Sequence, residues 1–185
     1  MDRMYAPWRL AFLKGQVQDD IPSPTNCIFC DYPLAFHADP LAFELPAEGR
    51  RAWDKRRLVV TAREHAFVIL NKYPYTNGHV MVVPRQHTDR LEQLDEAAFH
   101  GLQALLRETV AALRAVYTPN GMNVGMNMGE AAGAGIAEHL HWHALPRWRG
   151  DVNFMPAIGD TKVISESLDD TWTRLAALLR TAADD

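Results

Sequence analysis

Apolar positions along the chain recur with two periods. From Leu58 to Thr61 and from Ala66 to Asn71 they are nearly continuous, which predicts two strands joined by the turn-like Ala62-Arg63-Glu64-His65. Tyr73-Pro74-Tyr75-Thr76-Asn77-Gly78 forces a loop, and His79-Val80-Met81-Val82-Val83 predicts a third strand ended by Pro84. Between Asp95 and Val116 the period changes. Phe99, Leu102, Leu105, Leu106, Val110 and Leu113 recur at helical spacing, with Asp95 placed to cap the start and Pro119-Asn120-Gly121 to turn the chain beyond the end. A further strand is predicted from Met122 to Met128, where Asn123 to Asn127 alternates apolar and polar residues as a half-buried strand does. The flexible Gly129-Glu130-Ala131-Ala132-Gly133-Ala134-Gly135 leads into His139-Leu140-His141-Trp142-His143, a strand that Pro146 closes. Thr171 to Ala182 predicts a closing helix with Trp172, Leu175 and Leu178 or Leu179 on its inner face.

Strands gathered around one long helix make α+β with an antiparallel sheet the expected class, and the lack of regular crossover helices excludes a parallel doubly wound sheet. Residues 1–26 mix Trp8, Leu10, Phe12 and Leu13 with the breaker-rich Pro22-Ser23-Pro24-Thr25-Asn26, an anchored arm followed by a turn. An N-terminal arm with a metal knuckle over 1–57, a core over 58–150 and an extension with its helix over 151–185 are expected to form a single domain.

With 185 residues and 48% hydrophobic composition, the chain can bury one good core. A net charge of -4, from 19 basic and 23 acidic residues, argues against broad nucleic-acid binding. The basic cluster Arg50, Arg51, Lys55, Arg56 and Arg57 reads as a solvated linker face sooner than as a contact for polyphosphate or RNA. No stretch is long and apolar enough to span a bilayer, and Met1-Asp2-Arg3-Met4-Tyr5 lacks the apolar core of an export signal, so a cytoplasmic protein without a membrane partner is expected. Two cysteines, in Cys27-Ile28-Phe29-Cys30, are too few for a disulfide framework and suit a metal knuckle in reducing surroundings.

Alternation along a strand puts His139, His141 and His143 on one face, whereas a helix would turn His141 away from the other two. Three imidazoles buried side by side need partners for all their ring nitrogens, so chemistry or a metal explains them better than packing does. His141 is the expected nucleophile. If its Nδ1 donates to a backbone carbonyl, Nε2 carries the lone pair, and attack on an α-phosphorus makes a nucleotidyl-histidine. His143 would then bind a phosphoryl oxygen or the leaving group. Glycines at 129, 133 and 135 let backbone amides approach a phosphate. Separately, Cys27, Cys30, His87 and His139 supply four tetrahedral ligands for a structural zinc that leaves His141 metal-free. A catalytic metal on His139, His141 and His143 is the competing arrangement.

These residues resemble the histidine triad family, whose signature reads here as His139-Leu140-His141-Trp142-His143-Ala144-Leu145. The similarity extends to residues 71–84 and to Asn127-Met128-Gly129-Glu130, and covers roughly residues 58–148. It implies a nucleotide-binding homodimer with an antiparallel sheet running across two subunits. It also implies His141 as the group that attacks the α-phosphate, His143 on the phosphate, His79 behind the triad, Asn71 on the ribose and Asn127 in the phosphate pocket. Zinc-bearing branches of the family are similar at Cys27, Cys30, His87 and His139. Many triad proteins place a glutamine and a hydroxyl residue before the first histidine, where this chain has Gly133-Ala134-Gly135-Ile136-Ala137-Glu138. Residues 137–143 with 146–154 resemble instead the bacterial diadenosine tetraphosphate phosphorylases of the same superfamily, which resolve the nucleotidyl enzyme with inorganic phosphate. Arg147 and Arg149 suit such an anionic acceptor, unless they only cover the edge of Trp148.

The implied activity is nucleotidyl transfer from dinucleoside polyphosphates. The rivals are a hydrolase of such compounds or of nucleoside phosphoramidates, and a noncatalytic nucleotide-binding module. No carboxylate cluster near the triad prepares a catalytic magnesium site, so magnesium is expected only on the substrate. Side chains from Leu58 to Asn71 should line the base cavity without separating adenine from guanine by size.

Overall fold

The computed structural model describes residues 21, 23–34, 45–151, 163–180 and 184. Trp8, Leu10, Phe12, Leu13 and Pro22 of the expected arm, residues 152–154 of the phosphorylase-like stretch and Ala182 at the end of the closing helix lie outside them.

Five strands, β1 (Val59–Ala62), β2 (Ala66–Leu70), β3 (Val80–Pro84), β4 (Gly121–Met126) and β5 (Trp142–Arg147), form one sheet in the order β1-β2-β3-β5-β4. Every pairing is antiparallel. With the helices, this is the α+β class read from the sequence. The continuous apolar runs of β2 and β3 follow from burial on both faces, since all ten of their residues are buried. On one face Val68, Leu70, Val80, Val82 and Ala144 pack against α3 (Glu96–Tyr117) and α4 (Leu168–Leu179). On the other face Phe67, Ile69, Met81 and Val83 pack against Cys27, Phe29 and Tyr32 of the knuckle, which includes the short helix α1 (Ile28–Asp31).

Helix ends are set by caps. Asp95 accepts from Ala98 N–H at 2.7 Å, as its position predicted. The closing helix starts earlier than Thr171, because Ser167 accepts from Asp170 N–H at 3.1 Å and so fixes the first turn. Trp172, Leu175 and Leu179 face inward and Leu178 outward. Phe99, expected inside, sits exposed beside His100.

Three expectations are corrected. The basic cluster lies not on a linker but on and just beyond a helix, α2 (Ala47–Arg56), which carries little apolar surface and is held by polar links: Trp53 Nε1–H to Tyr32 O at 3.2 Å, and Arg180 to Asp54 at 3.0 Å. Pro146 does not end its strand. It lies within β5 opposite Met122, where β3 has already stopped pairing, so a missing N–H is tolerated. The alternation in β4 does not become alternating burial: the strand forms the sheet edge, most of its residues are part-buried, and Val124 is 43% exposed.

Candidate active site

All three histidines of the central motif are buried on the face opposite α3, but only His143 belongs to the ladder. The expected strand from His139 to His143 is shorter because its polar groups are diverted. Leu140 N–H donates to Thr88 O at 2.8 Å, and the His139 carbonyl accepts from His141 Nδ1 at 2.8 Å. That second bond decides a tautomer. A carbonyl only accepts, so His141 Nδ1 carries the proton and, in the neutral ring, Nε2 carries the lone pair.

His143 is wired the opposite way. Tyr75 N–H donates to His79 Nδ1 at 3.1 Å, so the His79 proton sits on Nε2. His79 Nε2 lies 2.9 Å from His143 Nδ1 and donates to it, which leaves the His143 proton on Nε2. Neighbouring imidazoles, with centroids 5.1 Å apart, therefore present a lone pair on His141 and an N–H on His143. The buried His79 is positioned by Gly78, whose φ of +71° and close approach to the Tyr117 ring exclude a side chain: an added Cβ would stand 2.6 Å from Tyr117 Cε2.

Two cavities meet at His143. The first, of about 290 Å³, is walled by Ile28, Phe29, Ile69, Met81 and Ile136 and also lined by Asn71, Gly135, His141 and Arg57. Asn71 accepts from Tyr73 N–H at 2.9 Å, and its amide nitrogen stands 3.4 Å from His79 Nε2. The second, of about 390 Å³, runs over β4 and β5 and is lined by Tyr75, Asn123, Gly125, Asn127, His143 and Arg147. Gly133, with φ +87°, sits where an added Cβ would come within 3.9 Å of the Asn127 amide nitrogen. Asn71 and Gly135 thus border one cavity, Asn127 the other, and the glycine loop lies beside both. Arg147 is no open cation: Asp151 takes Nε at 2.6 Å and Nη2 at 3.0 Å, and Asn123 takes Nη1 at 2.9 Å.

His139 turns away from His141 towards the knuckle. Its Nδ1 lies 3.4 Å from Cys27 Sγ and 3.7 Å from Cys30 Sγ, and His87 Nδ1 lies 3.2 Å from Cys30 Sγ. All four donor atoms fall within 4.8 Å of one another. Sulfur and nitrogen on adjacent corners of a zinc tetrahedron are separated by about 3.6 Å, so the set fits a metal of that geometry. His139 Nε2–H donates to Pro84 O at 2.8 Å, which fixes the tautomer with Nδ1 as ligand. Burial pushes the His139 imidazole down to about 4, and burial and Cys27 push the Cys30 thiol up to about 12. The imidazole is therefore neutral, and a cation at this position would favour the ionised form of the Cys30 thiol.

The sequence missed Arg57, Phe29 and Ile136 as cavity walls and Tyr75 as the group that sets the His79 tautomer. Phe29 packs on both His139 and His141, at centroid distances of 5.4 and 5.1 Å. Its place between the two cysteines was the available signal.

Known proteins share this fold. The HIT domain family model matches residues 54–150. The AP-4-A phosphorylase of Mycobacterium tuberculosis strain H37Rv is 36% identical over 177 residues, 95% of this chain and 83% of that one. Among solved structures, a zinc-bound histidine triad family protein from Mycobacterium smegmatis superposes with a TM-score of 0.59 at 23% identity, covering 85% of this chain and 95% of its own. A histidine triad nucleotide-binding protein from Sulfolobus tokodaii gives 0.58 at 22% identity, with 83% and 91% covered. The chain belongs to the HIT domain family. Among the described residues, no helix is long and apolar enough to cross a membrane.

Proposed function

We propose that the chain is a nucleotidyl transferase that cleaves dinucleoside polyphosphates such as diadenosine tetraphosphate through a nucleotidyl-histidine on His141, with inorganic phosphate as acceptor. The observation that carries this reading is the opposed tautomer pair, a lone pair on His141 Nε2 beside an N–H on His143 Nε2. His141 Nε2 attacks the α-phosphorus, a P–N bond forms, and the P–O bond to the leaving nucleotide breaks. His143 Nε2–H stabilises the negative charge that develops on the departing or non-bridging oxygen. Phosphate then attacks the same phosphorus, the P–N bond breaks with its electron pair returning to His141, and a nucleoside diphosphate leaves. The 36% identity to an AP-4-A phosphorylase supports the substrate class and the acceptor.

Zinc on Cys27, Cys30, His87 and His139 would be structural in this scheme. It would hold the knuckle, and with it Phe29, against the sheet while His141 stays free of metal. The active form is a cytoplasmic homodimer in which the exposed edge β4 continues into a second copy.

Product analysis with diadenosine tetraphosphate and isotopically labelled phosphate tests the reading. Labelled ADP that requires phosphate supports it, whereas AMP formed without phosphate means hydrolysis. No turnover and no trapped adduct means a binding module. In His141→Ala the adduct should vanish and activity should fall at least about 10³-fold, with about one zinc per chain retained. In Cys27→Ala the zinc should be lost. Zinc that follows His141 instead would remove the basis for the nucleophile.

A further inference from the structure

The first cavity is apolar over most of its wall, yet Arg56, Arg57 and Lys72 also line it, and of these Arg57 is the one stacked closely on an aromatic ring, at the end remote from the triad. His141 and His143 lie at or beside β5, Met81 on β3 and Ile69 on β2, while Arg57 precedes β1. Strand β5 is three places from β1 in the sheet, about 14 Å at the usual interstrand spacing. A nucleotide whose α-phosphate meets His141 therefore lays its base along Ile69 and Phe29 and turns the far edge of the base towards β1.

Arg57 is prepared for that edge. Its guanidinium carbon sits 3.6 Å from the centroid of the Trp53 ring, so one face of the group is stacked and its N–H donors project in its plane, away from the indole. Arg57 Nε is buried and has no hydrogen-bond partner among the described residues. Closed off in this way, Nε meets no ligand, and the donors that can face the cavity are Nη1 and Nη2, neither of which donates a hydrogen bond among the described residues. Burial also lowers the affinity of this guanidinium for its proton, the mark of a cation drawn partly out of water.

We infer that Arg57 is a specificity-determining residue that reads the edge of the bound base, and that it favours guanine over adenine. The inference rests on the nucleotide cavity proposed above. A guanidinium offers only donors. Guanine presents two adjacent acceptors to it, O6 and N7, whereas adenine presents N7 beside an amino group that is itself a donor. Adenine still fits the apolar walls, which distinguish neither base, but makes at most one bond to Arg57. A good paired contact of this kind corresponds to roughly tenfold discrimination.

The test is calorimetric binding of GMP, 7-deaza-GMP and AMP to the whole protein and to Arg57→Met and Arg57→Lys. In the unsubstituted protein, loss of the N7 acceptor in 7-deaza-GMP should weaken binding about fivefold to tenfold, a result that needs no variant to fold. Both substitutions should lower the ratio of GMP to AMP affinity by roughly tenfold, Arg57→Lys included, because an ammonium lacks the planar pair of donors. A ratio unchanged in both variants, or equal binding of GMP and 7-deaza-GMP, overturns the assignment to Arg57 while leaving the cavity a nucleotide site. Failure of all three nucleotides to bind the unsubstituted protein overturns the cavity reading itself and Arg57 with it.

Discussion

His141 and His143 are the same residue type two positions apart, and what separates them is the atom that each Nδ1 meets. A backbone carbonyl accepts from Nδ1–H of the first, and a neighbouring imidazole donates to the bare Nδ1 of the second. The second arrangement is only as firm as His79, since without it the His143 proton can move to Nδ1 and leave an acceptor where the proposed reaction calls for a donor. His79→Leu should therefore lower kcat about 10²-fold while KM changes little, the sign of an interaction made in the transition state. Equal losses in His79→Leu and in a volume-matched change on the far side of the core would mean that His79 only packs. At this scale the sequence was legible where chemistry depends on residue type. The three histidines of the central motif and the two cysteines stood out by type and spacing, and His79 and Asn71 entered only through the family resemblance, whereas the N–H of Tyr75 that orders the relay is one that nearly every residue carries. Arg57 was visible as a charge, but its stacking on Trp53 was not, because the helix joining them escaped notice.

That helix, α2, shows why elements differ in legibility. Strands β2 and β3 and helix α3 bury apolar side chains and announce themselves by period. In α2 the buried residue is Asp54, and its partner Arg180 lies far along the chain just beyond α4. No hydrophobic pattern records such a link. Burial outweighs the attraction of Arg180 and raises the Asp54 carboxyl from 3.8 to about 6. The sign follows from proton counts: between about pH 4 and pH 6 the folded chain holds a proton at Asp54 that the unfolded chain has released, so stability from this group falls as pH rises through that window and is level above it. Asp54→Asn should remove that component, so that urea unfolding of the variant loses less stability from pH 4 to pH 6 than the unsubstituted protein does. Parallel pH profiles for the two would show that Asp54 is ionised throughout.

For the whole molecule the unequal sheet edges matter most. Strand β1 is closed off by α2 and α4, with Trp172 Nε1–H donating to Val59 O at 2.6 Å, and Asp184 accepting from Thr61 and from Ala62 N–H. Strand β4 pairs with β5 and with no other strand of the described residues, carries the exposed Val124, and borders the cavity beside His143. Alternation in Asn123 to Asn127 suggested a covered face because the period of a strand tells which residues share a side, not whether anything lies against it. An unprotected edge of this kind invites a second copy. Antiparallel pairing of two β4 strands would continue the sheet, cover Val124 and close the second cavity beside His143. The chain should then run as a dimer in light scattering, and turnover per chain should fall on dilution below the dimer dissociation constant. Val124→Lys, a charge of the sort that guards natural edges, should halve the mass and lower turnover while leaving the helical circular dichroism and the zinc content as they were. A variant that stays dimeric would place the contact on another surface, and a monomer with full turnover would show that the second cavity works without being covered.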